Sequence, residues 1–70
     1  MTKFQAFLKQ IGSNLRQLRV RFGLTQVEAS KKAGIPERRY QDIESGKANM
    51  TLRSLFRLSH LYKVKPKQLL

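Results

Sequence analysis

The chain has no cysteine, one histidine, two prolines and only four acidic residues among its 70 positions. Without cysteine, neither a disulfide framework nor a cysteine-ligated metal site can staple so short a chain, so an apolar core must hold it, helped if needed by a partner subunit. The absence of cysteine assigns no compartment. Long apolar runs are missing too, and none approaches membrane-spanning length. The opening stretch, MTKFQAFLKQIGSN, is interrupted by Lys3, Gln5, Lys9 and Gln10 and makes no secretory leader, although its amphipathic basic character keeps a membrane-surface or transit role open. A cytoplasmic protein that spans no membrane is expected.

Catalytic groups are equally sparse. His60 has no neighbouring histidine or acid in sequence, and one histidine without cysteine gives no acid–base pair, nucleophile or metal cluster. The expectation is a protein that is no enzyme, with no catalytic or metal site, no cofactor and no small-molecule ligand.

What is abundant is positive charge. Fifteen Lys and Arg against four acids give a net charge of +11, and the pI is near 11.1. Such a balance says nothing about fold but points to a polyanion as partner, nucleic acid above all. All four acids, Glu28, Glu37, Asp42 and Glu44, fall inside TQVEASKKAGIPERRYQDIESG, residues 25–46. Lys31, Lys32, Arg38 and Arg39 balance them there, so the entire excess lies outside a neutral, patterned centre.

Apolar positions predict helices throughout. Phe4, Leu8, Ile11, Leu15, Leu18 and Phe22 recur every three or four residues, one helical face. Gly12 and Ser13 are poor helix formers inside it, so residues 1–10 are expected as an extension whose first turns fray or stand apart. Gly23 supplies a left-handed stop. Thr25 with Glu28 three residues later forms a capping box for a second helix that Gly34 ends. Pro36 holds Ile35 extended and starts a third helix over about residues 36–45, with Tyr40 and Ile43 inward and Gly46 closing it. Thr51 caps a fourth, whose inner face is expected to include Leu52, Leu55, Ser59 and Tyr62. The end, KPKQLL, is a last short turn with Leu69 folding back on the core. No segment alternates as a strand does. The fold class is therefore all-α, a compact bundle of four to five short helices in one domain, 1–70, around a helix-turn-helix unit at about 25–46.

In that unit Ser30 stands where two helices must cross closely, and Glu37, Arg38, Gln41 and Asp42 are left on the outer side of the third helix. The ordered elements IGSNLRQLR, GLTQ, AGI, IESGK and VKPKQLL resemble the Cro/C1-type (XRE) helix-turn-helix family of DNA-binding regulators, from Ile11 to Leu70. The resemblance implies a lambda-repressor-like domain that binds a double-stranded DNA operator as a homodimer. It implies base contacts from Glu37, Arg38 and Asp42, with Gln41 nearer the backbone. It implies phosphate contacts from Gln26, Ser45, Lys47 and Asn49, and Arg39 and Arg16 are further candidates for the same role. It further implies a structural ion pair between Arg19 and Glu44 and a dimer contact at Leu61, Leu69 and Leu70. The chain departs from the family pattern at Ala29–Ser30, Tyr40 and Pro36. It also does so at Lys63, where a left-handed non-glycine residue costs roughly 1 kcal/mol.

Blander readings stand beside these. Arg38 and Asp42, four apart, also suit a solvent-exposed helix pair. Glu37 is either a base reader or a charge stabilised by the helix N-terminus. Arg16, Lys31 and Lys32 also suit plain solvated charges. The aromatics follow core or interface spacing, with Phe4 and Phe7 a rival dimer surface. Phage repressors, antitoxins and restriction–modification controllers all come at this size. Rival classes are a protein–protein adaptor of similar helical form and a nonspecific binder of nucleic acid or anionic membrane.

Overall fold

The computed structural model describes all residues 1–70 and contains four α-helices and a closing 3-10 turn, with no strand. They are α1 (Lys3–Arg21), α2 (Gln26–Ala33), α3 (Glu37–Glu44) and α4 (Leu52–Leu61), followed by Pro66–Leu69. No helix is long and apolar enough to cross a membrane.

The first helix differs from expectation: it runs unbroken for 19 residues. Two causes combine. Thr2 and Gln5 form a capping box at its start, each side chain bonding the other's backbone N–H, a pattern legible in TKFQ. Gly12, meanwhile, serves packing. A methyl group built there would overlap the backbone carbonyl oxygens of Glu44 and Ile43, so glycine lets α1 cross the end of α3 at close range. Its helix-propensity cost, about 1 kcal/mol, is outweighed by that contact.

Ten side chains form the core, with Leu15, Ala29, Tyr40, Leu58 and Leu69 wholly inaccessible. Buried Ser30 at the α2 crossing turns its hydroxyl onto the Val27 carbonyl at 2.8 Å. Tyr40 and Tyr62 join hydroxyl to hydroxyl at 2.7 Å across the core, tying α3 to the end of α4, and Phe22 meets the Tyr62 ring edge-on. Burial pushes both phenols up, so each stays a neutral hydrogen-bonding group. Asn14 on α1 donates to the Leu69 carbonyl at 3.1 Å and fastens the C-terminal turn.

Leu52 departs from what the spacing implies, and Leu69 from what the resemblance implies. Leu52, expected inward, is 83% exposed because it opens α4, a turn before the helix reaches the core. Leu58 takes the inner position instead. Leu69, expected at the dimer contact, is buried in its own chain's core by the closing turn and cannot also meet a partner. Lys63 holds φ 56°, the left-handed conformation foreseen for it.

Candidate nucleic-acid interface

The unit α2–turn–α3 is fixed from within. The Thr25 hydroxyl accepts the Glu28 N–H at 3.1 Å, and the Glu28 carboxylate accepts the Thr25 N–H at 2.9 Å. Those bonds to Thr25 lower the Glu28 pKa, so the acid is committed to starting α2. Gly34, at φ 69°, turns the chain, and the Ile35 N–H closes onto the Ser30 carbonyl. Arg57 on α4 donates to the Gly34 carbonyl at 3.1 Å, holding the turn from outside. Pro36 occupies the cap position of α3 with no side-chain hydrogen bond.

Glu44 accounts for a second acid. Its carboxylate receives Arg19 through Nε at 3.0 and 3.1 Å and Nη2 at 2.8 Å, while Arg19 Nη1 donates to the Leu24 carbonyl. Gln26 Nε2 adds a donor at 3.2 Å. Burial alone would push this carboxyl up, but Arg19, with help from Tyr40 and Gln26, holds it below the ordinary carboxylate range. A buried charge satisfied on this scale fixes α1, α2 and α3 in one relation.

The other two acids face outward. Arg38 Nε lies 3.7 Å from Asp42 Oδ2, with the arginine side chain 87% exposed. Gln41 Nε2 donates to Glu37 Oε1 at 3.2 Å. Two pairs spaced four apart therefore restrain one another on the outer face of α3, while Tyr40, Ile43 and Glu44 anchor the inner face. The face offers a guanidinium, two carboxylates and an amide on a helix narrow enough to enter a major groove.

Beyond α3, the Asp42 carbonyl gathers the N–H groups of Lys47 and Ala48 and the Ser45 hydroxyl, with Gly46 at φ 79°. This sets a tight loop from which Ser45, Lys47 and Asn49 stand exposed. Arg16 and Arg39 are exposed on α1 and α3. Gln26 is half-buried, with one amide N–H committed to Glu44. Of all the cations, only Arg19 and Arg38 pair with an acid.

At the C-terminal end Leu61 is half-buried and Leu70 half-exposed. Leu70 borders an apolar groove of about 410 Å³ with Phe4, Phe7, Met50, Leu52 and Leu55. Among the features that escaped the sequence-based expectations are the Arg57 bond to the turn and the approach of Lys9 to Gly46, both between residues far apart in sequence.

Residues 15–69 match the helix-turn-helix family. Among solved structures, the chain is similar to the restriction-modification controller protein C.AhdI from Aeromonas hydrophila. The two are 28% identical with a TM-score of 0.88, over 93% of this chain and 98% of that one. No curated protein matches the chain in sequence.

Proposed function

The chain belongs to the Cro/C1-type helix-turn-helix family of DNA-binding transcriptional regulators, and from that premise we propose that it is a sequence-specific, homodimeric controller that inserts α3 into the major groove of an operator. One observation carries this reading: Glu37, Arg38, Gln41 and Asp42 stand on the outer face of α3, paired only with one another, while Glu28 is tied up in capping α2 and Glu44 is buried against Arg19. Arg38 pairs with guanine O6 and N7, and Glu37 and Asp42 accept from cytosine or adenine amines and penalise sites that lack them. Gln41 works nearer the backbone. Gln26, Arg39, Arg16, Ser45, Lys47 and Asn49 contact phosphates and set the register.

The likeness to a restriction-modification controller over nearly the whole of both chains favours that type over an antitoxin or phage repressor. A protein–protein adaptor would not need a base-reading set on α3. The dimer is proposed to form through Leu61, Leu70 and the adjoining apolar groove, since Phe4, Phe7, Leu52 and Leu70 expose more apolar surface than so small a monomer needs. Its two recognition helices would then lie about 34 Å apart, one duplex turn. The proposed place of action is the cytoplasm.

Selection from a random duplex pool tests this directly. Two related half-sites about one helical turn apart are expected to enrich. A pool that stays random while binding remains salt-sensitive would leave only a nonspecific binder. A pool that does not bind would favour the adaptor.

A further inference from the structure

Lys9 lies outside the family-matched residues 15–69, yet its stem rests directly against the loop that follows α3. A methyl group built on Gly46 would stand 2.6 Å from Lys9 Cγ and 2.9 Å from Lys9 Cα. Three residues on, along the same face of α1, Gly12 makes the equally close approach to the Ile43 and Glu44 carbonyls. The N-terminal half of α1 is thus docked at two successive points on the exit from the recognition helix, and its first turn is capped by Thr2 and Gln5.

The consequence is a recess of about 730 Å³ in which Lys9 and Lys47 share a wall with Ser45 and Asn49. No acidic side chain lines it, and neither lysine pairs with a carboxylate. Two ammonium groups beside one recess without an acid repel one another, and a polyanion relieves that repulsion. We propose that Lys9 is a DNA-phosphate contact, extending the footprint from the Ser45–Asn49 loop onto the N-terminal half of α1. This rests on the DNA-binding reading. A purely structural Lys9 would merely cover Gly46 with its methylenes.

Lys9→Gln separates the two roles, because it keeps the Cβ and Cγ that pack on Gly46 and removes the charge. The full chain is titrated against a labelled mixed-sequence duplex over a salt series, with thermal melting alongside. Per protomer bound, Lys9→Gln should weaken binding about fivefold near 0.15 M salt and make the log K against log salt slope shallower by about 0.9, the effect of one released counterion. Its melting temperature should not move. Lys9→Arg should restore both affinity and slope. Lys47→Gln provides the reference loss, and the double variant should lose about 1.8 of slope per protomer. Lys9→Met, whose unbranched stem also covers Gly46, should repeat the result if Gln disturbs the helix. Unchanged slopes for Lys9→Gln and Lys9→Met beside a loss for Lys47→Gln would overturn the extended footprint and leave DNA binding standing. A wild-type chain with no salt-dependent duplex binding would overturn both.

Discussion

Arg19 on α1 and Glu44 at the end of α3 meet at 2.8 Å, with only 3% of the glutamate side chain reachable by solvent. The same carboxylate takes a hydrogen bond from Gln26 at the head of α2. One buried charge therefore sets how α3 sits against the two helices behind it. Removing Arg19 strands that carboxylate, which costs on the order of 3–5 kcal/mol. Arg19→Met should lower the melting temperature by well over 10 °C, taking about 4–8 °C per kcal/mol for a domain of this size. An unchanged melting curve would mean that the pair is incidental.

Acid should act through the same group. Because Glu44 is held below the ordinary carboxylate range in the fold, its stabilisation is complete above the unfolded pKa and is lost as pH falls through the folded one. Glu28, lowered by its bonds to Thr25, titrates in the same direction. Stability should thus be flat near neutrality and fall below about pH 4. Urea midpoints measured across that range check the sign, and Glu44→Gln should flatten most of the fall while lowering the plateau.

Gly12→Ala sets two effects of opposite sign against each other. Helix propensity favours alanine by about 1 kcal/mol. Overlap of the new methyl with the Ile43 and Glu44 carbonyls opposes it, and these backbone atoms cannot swing aside as a side chain would. The close approach should dominate, with a net loss of about 1–3 kcal/mol in denaturant unfolding. A stabilised variant would show that α1 and α3 do not need to approach so closely.

Local signals were legible where neighbouring residues decide the structure. Thr25 with Glu28, Gly34 and Pro36 each act within a few residues, and the boundaries of α2 and α3 follow from them. Gly12 misleads because its local preference opposes its tertiary role. Leu52 shows the same limit: its apolar character fits an inner position, but the path of the chain leaves it exposed, whereas Leu69 folds back on the core as its short closing turn implied. The outer face of α3 was legible because Tyr40 and Ile43 define the inner one. The contacts of Lys9 with Gly46 and of Arg57 with Gly34 were not, since nothing near either residue encodes its distant partner.

Glu37 should behave in a way that a merely helix-starting acid would not. It sits exposed in the first turn of α3 with Gln41 bonded to it. Glu37→Ala should raise affinity for scrambled duplex, by removing repulsion from phosphates, and narrow the gap between selected and scrambled sequences. Titrations of both duplexes at matched salt check this. A gap as wide as the parent's would reduce Glu37 to a helix-end charge.

The most direct test of α3 as the reading element is the affinity of wild type and Arg38→Ala for a selected duplex and for its scrambled counterpart at one salt concentration. Arg38→Ala should lose about 1–3 kcal/mol on the selected duplex, with relaxed preference at one base pair per half-site, and far less on the scrambled one. Equal losses on both duplexes would make Arg38 part of the electrostatic clamp and contradict sequence recognition by this face.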